Sequence, residues 1–267
     1  SARTPDGGSS GYFLRNHFDI AKLDTGRIAR EAIQKALTSR NPRTLEPGVY
    51  PVILEAQAAD DLIRLGFDAR SADEGRSFLS KPGGGNKLGT KLVSDKVSIF
   101  SDPEHSAAPG AIYSTDGLPA KKHRWIKDGV VEALMYSRFW AKKQNREAVP
   151  FPSNLIMEGG KVSMDDMIAD TRKGVLVTRF WYIREVDPQT LLLTGLTRDG
   201  TFLIENGKIS RPIKNFRFNE SPVNMLNNVV AISPSERATG SEIEGWPISV
   251  PSLLVKDFTF SSLSDAV

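Results

Sequence analysis

The 267-residue sequence contains no cysteine. A disulfide framework, a thiolate metal site and a cysteine nucleophile are therefore excluded. Histidine is almost as scarce. Only His17, His105 and His123 occur, and none lies within helical reach of another, so a zinc-hydrolase motif built on two histidines of one helix is absent. No apolar run approaches the roughly 20 residues that a membrane-spanning helix needs. Nor does one sign of charge dominate: 35 basic and 32 acidic residues leave a formal charge of +3. The basic pI near 9.0 reflects that small imbalance. It reads as a solvated mixed surface, and neither direct nucleic-acid binding nor a membrane partner is expected. The chain opens at Ser1 with no signal-peptide pattern, which suggests a fragment or a processed form, and nothing argues for export.

What is present is ordinary globular composition, 39% hydrophobic and 25% charged. That is one large domain or two small ones. The first eleven residues are turn and linker formers. Gly7-Gly8-Ser9-Ser10-Gly11 matches the letters of a G-x-S-x-G nucleophile pattern, but no buried strand leads into it, so a connector is the better reading. Residues 24–39 read as a helix capped by Asp24 or Thr25, with Ile28, Ala29, Ala32, Ile33, Ala36 and Leu37 on one face. Tyr50–Leu54 reads as a buried strand and Gln57–Leu65 as a second helix closed by a left-handed Gly66. The glycine-rich stretch from Lys81 to Lys91 has phosphate-loop spacing at Gly84 and Gly89. Its Thr90-Lys91 order is reversed, however, and no strand precedes it, so a mobile surface loop is expected and no nucleotide cofactor.

From residue 91 onward the pattern turns β-rich. Asp116-Gly117, Asp128-Gly129, Asp199-Gly200 and Asn206-Gly207 are tight-turn signals. Strands are expected over 97–100, 175–183, 191–196, 201–205 and 252–260. Ser163 and Asp166 form a capping box that opens a helix, and Pro222 starts another carrying Met225, Leu226 and Val229. The fold class predicted is α+β: β-rich, with antiparallel, barrel-like sheets and a few flanking helices.

Several segments are specific enough to suggest a family. EPGVYPVILEAQAADDL (46–62), EGRSF followed by KLGTKLVSDKVSIFSDP, GVLVTRFWYIREVDPQTLLLTGLTRDGTFLIENGKI (174–209) with PIKNFRFNES, and the ending VPSLLVKDFTFSS together resemble the C-terminal domain of the TldD/PmbA family. That family also carries the label modulator of DNA gyrase. The resemblance implies a division at residue 44/45, with 1–44 a linker and the last helix of an upstream domain and 45–267 the C-terminal domain. It also implies a cytoplasmic heterodimeric protease acting on unfolded peptides. Its catalytic members hold zinc through H-E-x-x-x-H on a helix and a cysteine near the domain's end. Here the corresponding helix region, Asp60 to Phe67, has no histidine, and Gly240 to Pro251 has no cysteine. The chain therefore resembles the non-catalytic PmbA/TldE kind, with no catalytic residue, no metal ligand and no cofactor expected.

Asp60, Asp61 and Asp68 read as solvated helix-face and cap carboxylates. His105 with Asp102 and Glu104 reads as a solvated turn, and His123 with Lys121, Lys122 and Arg124 as a hairpin edge. On the strand from Val175, alternation places Phe180 with Tyr182 and Arg179 with Trp181. Aromatics beside arginines suit either nucleic-acid stacking or peptide contact, and equally core aromatics with arginines paired to acids. The candidate peptide-binding residues are accordingly Arg179 and Trp181, with Arg198, Asp199, Gly200 and Thr201 read as an adjacent hairpin tip. The expected partners are a zinc-bearing TldD-like homologue or a second copy, and an unfolded peptide. The alternative is a homo-oligomeric scaffold of the same fold that binds peptides without cleaving them.

Overall fold

The computed structural model describes residues 1–239 and 246–265. The first half of the cysteine-free tract from Gly240 to Pro251, residues 240–245, lies outside them. Two short strands, β1 (Ala2–Arg3) and β2 (Ser10–Gly11), close the first turn. The serine of the G-x-S-x-G stretch, Ser9, is buried there and donates its hydroxyl to the Ala36 carbonyl at 2.8 Å. It is a structural contact. Residues 12–17 then run as a partly buried strap without regular structure. Helix α1 (Thr25–Thr38) begins where Asp24 accepts a hydrogen bond from the Arg27 amide at 2.8 Å, as its capping chemistry requires. A side chain at Gly11 would meet the Ala36 nitrogen at 2.2 Å, so only glycine lets β2 seat against α1.

The remaining elements are β3 (Gly48–Leu54), α2 (Ala56–Ile63), α3 (Ala69–Asp73), β4 (Ile99–Ser101), β5 (His123–Lys127), β6 (Val130–Val131), α4 (Arg138–Lys143), β7 (Leu155–Met157), α5 (Met164–Ala169), β8 (Lys173–Asp187), β9 (Leu192–Glu205), β10 (Lys208–Pro212), β11 (Phe216–Glu220), α6 (Pro222–Asn227), β12 (Val229–Ile232), β13 (Glu236–Ala238), β14 (Ile248–Val250) and β15 (Leu253–Leu263). Strands β9, β11, β15, β3 and β8 pair in that order, and β8 pairs back to β9, which closes a five-stranded barrel. Closure removes the free edges that an open sheet would present. A second sheet runs β13-β14-β7-β4-β5-β6. The predicted α+β, barrel-like class is present. Pairing is mostly antiparallel, but β3–β8 and β14–β7 are parallel. Their partners are distant in sequence, so no hairpin signal could announce them.

Alternation along β11 puts Phe216 and Phe218 inside the barrel and Arg217 and Asn219 outside. They meet Phe180 of β8 and Phe258 and Phe260 of β15. Ring centroids lie 4.6 Å apart for Phe180–Phe218 and for Phe216–Phe260, the separation of favourable aromatic pairs. All five rings are buried. No helix among the described residues is long and apolar enough to cross a membrane.

Several expectations change. Asp199-Gly200 is no hairpin tip: β9 runs straight through it. Thr201 faces Val177 and Arg198 faces Arg179 in the β8–β9 register, so Asp199 and Gly200 together oppose Thr178 alone. This is a β-bulge, and the positive φ values of Asp199 (54°) and Gly200 (130°) serve the bulge as they would a turn. The β8–β9 connection lies instead at residues 188–191, where Asp187 accepts from the Gln189 amide and the Thr190 hydroxyl. Phe180 and Tyr182 do not share a face, because the β8–β9 register shifts past Trp181 and Tyr182 adopts φ 56°. Phe180 is core and Tyr182 is exposed. Helix α2 ends at Ile63, and Gly66 is not left-handed. The 81–91 loop is tied by backbone hydrogen bonds such as Lys81 to Gly85, and Lys87 Nζ donates to the Phe78 carbonyl at 2.6 Å.

Candidate functional site

The bulge decides the geometry of the candidate residues. Arg179 of β8 and Arg198 of β9 are direct cross-strand partners, a placement in which like charges repel. The extra residue turns the Asp199 carboxylate between them. Arg179 Nε donates to Asp199 Oδ2 at 2.7 Å, and Arg198 Nε lies 4.0 Å from the same oxygen. Asp199 is almost wholly buried, where a charge needs such partners. Trp181 lies beside both cations, its ring centroid 5.3 Å from the Arg179 guanidinium carbon and 5.6 Å from that of Arg198. Tyr12 of the strap takes the other side of Arg179 at 4.2 Å. The result is a row of alternating aromatic rings and guanidiniums, each stabilised by the ring quadrupole.

The structure thus brings Arg179, Trp181, Arg198 and Asp199 together. Gly200 and Thr201 belong elsewhere. A side chain on Gly200 would meet Thr178 Oγ1 at 2.6 Å, so its role is the bulge itself. Thr201 Oγ1 lies 2.8 Å from Asn215 Oδ1 and 2.9 Å from Thr197 Oγ1. This polar group borders a separate cleft of about 210 Å³ between the N-terminal turn and the barrel, lined also by Ser9 and Lys214.

A second cluster adjoins the first through Thr178, whose hydroxyl donates to Glu55 Oε1 at 3.3 Å. Glu55 stands at the start of α2 and accepts from Lys35 Nζ of α1 at 2.6 and 2.7 Å. The strap crosses this cluster. Phe13 carries the Arg15 guanidinium 4.3 Å and Lys35 Nζ 5.6 Å from its ring centroid. Arg15 pairs with Glu236 of β13 at 3.0 Å, and Asn16 Nδ2 donates to Thr239 Oγ1 at 2.7 Å. Burial pushes the Glu236 carboxyl above the usual range, with Arg15 opposing that shift. Sequence reading passed over the strap, Lys35, Glu55 and Glu236. The one available signal was the apolar triplet Tyr12-Phe13-Leu14 beside Arg15-Asn16, directly after a tract read as linker.

A zinc centre requires about three protein ligands of suitable chemistry. The α2 region offers carboxylates only, and two of them are held by cations. Glu55 is bonded to Lys35, and Asp60 accepts from Arg64 Nη2 at 3.1 Å. Asp60 is fully buried, contrary to the solvated position expected for it, because α2 packs between barrel and second sheet. Burial pushes its carboxyl up to about 6 against the pull of Arg64. Asp68 instead caps α3, accepting from the Ser71 amide at 2.7 Å. Among the described residues no three histidine or acidic side chains gather into a metal-binding group. Among the described residues, the carboxylates of the α2 region do not form a zinc-ligand set.

Residues 47–262 match the model of the PmbA/TldA metallopeptidase C-terminal domain. The chain belongs to the TldD/PmbA family. It is similar to a metalloprotease TldD homolog of Haemophilus influenzae, at 24% identity over 94% of this chain and 57% of the relative. It is also similar to a metalloprotease of Methanothermobacter thermautotrophicus, at 26% identity over 86% of this chain and 52% of the relative. The chain thus spans a little over half the length of these TldD/PmbA relatives. The crystal structure of TldE from Thermococcus kodakarensis superposes with a TM-score of 0.77 at 19% identity, covering 90% of this chain and 56% of that one. That likeness establishes the shared fold.

Proposed function

We propose that the chain is a non-catalytic, PmbA/TldE-like subunit of a TldD/TldE-type zinc peptidase complex that processes or degrades unfolded peptides, and that its part is to hold an extended peptide. The observation that carries this reading is the chemistry of α2. It has no histidine, and the carboxylates at its start and middle are engaged by Lys35 and Arg64. With no zinc-ligand set on α2 to polarise water, hydrolysis falls to a zinc-bearing TldD-like partner. The proposed peptide contacts are Arg179, Trp181 and Arg198, held in place by the bulge of Asp199 and Gly200, with Thr201 pairing beyond it. The terminal strand β13 adds a backbone edge, and strand addition accepts many sequences. The division at residue 44/45 and a cytoplasmic location belong to the same proposal.

The test is affinity capture of a tagged chain with a zinc-bearing TldD-type homologue. Stoichiometric co-purification of the two supports the reading. Self-association alone, with no complex formed, moves the assignment to a homo-oligomeric peptide-binding scaffold.

A further inference from the structure

The strap is laid along its groove much as a bound peptide would be. Its floor and walls come from three separate elements: Thr178 of β8, Glu55 and Gln57 where α2 begins, and Glu236, Arg237 and Ala238 of β13. Every residue from Tyr12 to His17 is partly buried. The anchoring contacts are side-chain ones, and they recur along an extended run: Tyr12 on Arg179, Arg15 on Glu236, Asn16 on Thr239. Strand β13 ends its sheet, and the strap reaches this end of the sheet through the side chains of Arg15 and Asn16. Contacts of this kind are individually weak and solvent-accessible. They hold the strap because it is tethered, at an effective concentration no free peptide ordinarily reaches.

We infer that residues 12–17 are an internal occupant of a peptide groove, and that the groove selects extended peptides carrying an aromatic residue three positions before an arginine. This inference rests on the peptide-holding reading above and adds to it a preference and a regulation. The aromatic side chain takes the place of Tyr12 against Arg179. The arginine takes the place of Arg15 against Glu236, and a following amide or hydroxyl side chain takes that of Asn16 against Thr239. Release of the strap opens the groove, and its return closes it. No covalent step is involved.

The experiment uses the full chain and a fluorescent peptide with the sequence of residues 10–18. Anisotropy titrations compare the unaltered chain with a loosened-strap variant, Tyr12→Ala/Arg15→Ala/Asn16→Ala, and with the single variant Arg15→Glu should the triple fail to fold. The inference predicts at least tenfold tighter binding to the loosened chain. Adding Glu236→Lys should remove that gain, and a peptide with glutamate in place of its arginine should restore it. Equal affinity for the unaltered and loosened chains, both folded by circular dichroism, overturns the inference. So does tighter binding that Glu236→Lys leaves intact. Peptides from a denatured-protein digest separate the two levels. Their binding equally to both chains removes the strap mechanism and leaves peptide holding standing. Failure of every peptide to bind either chain overturns both.

Discussion

Arg179 Nε donates at 2.7 Å to Oδ2 of Asp199, the residue next to its own cross-strand partner, Arg198. One buried carboxylate therefore stabilises two cations that the register would otherwise set against each other. Asp199→Ala leaves both guanidiniums without it in a largely buried setting. Removing one partner of such a group costs about 3 kcal/mol or more. Urea denaturation should show the midpoint falling with an unchanged slope. A loss under half a kcal/mol would mean solvent already screens the cluster.

Gly200 tests the bulge. Its φ of 130° and the 2.6 Å approach to Thr178 Oγ1 leave no room for a methyl group. Gly200→Ala should destabilise by about 1–3 kcal/mol in a thermal melt. Gly66→Ala, with an ordinary φ and open space around it, should be close to neutral. Equal effects at the two positions would contradict the bulge.

The barrel's ring cluster sets the core. Phe218→Ala removes a ring lying 4.6 Å from Phe180 and 5.7 Å from Phe258. A cost of about 3–5 kcal/mol is expected, read from equilibrium unfolding. A loss below 1 kcal/mol would show that neighbouring rings refill the space.

Asp60 gives stability a specific pH dependence. Its folded-state value, about 6, lies above the ordinary 3.8. The native state therefore binds the proton more tightly than the unfolded chain does. Stability from this group is complete below about pH 4 and declines as the pH rises through about 6, by roughly 3 kcal/mol at most, since each unit corresponds to about 1.4 kcal/mol. Glu220 and Glu236 are shifted the same way, so the wild type must be compared with Asp60→Asn across pH 4–7.5. The difference between the two should change over pH 4–6 and level off above it. A flat difference would contradict the buried, charge-disfavouring site.

Much of the fold was legible because local chemistry repeats. Asp24 capped α1, Ser163 capped α5, and the runs through Val175, Thr201 and Leu253 became barrel strands. What was not legible depends on distant partners. Asp199-Gly200 carries identical letters for a turn and for a bulge, and only β8 opposite decides between them. Asp60 looked solvated because the sheets that bury it lie elsewhere in the sequence. The stripe expected on α1 divides: Ala32 and Ala36 are buried, while Ile33 and Leu37 remain 50% and 45% exposed. Of the site, the aromatic–arginine pattern on β8 could be read directly. The strap residues that complete it could not, because nothing local links Tyr12 to Arg179 or Arg15 to Glu236.

The central claim is that this chain holds peptide while another chain cuts it. Its most direct test is hydrolysis of a denatured protein, followed by mass spectrometry, with the purified chain alone, with a zinc-bearing TldD-type partner alone, and with the two together. The account predicts no cleavage by the chain alone and faster, chelator-sensitive cleavage by the pair than by the partner. Metal-dependent cleavage by the chain alone that survives repurification would contradict it.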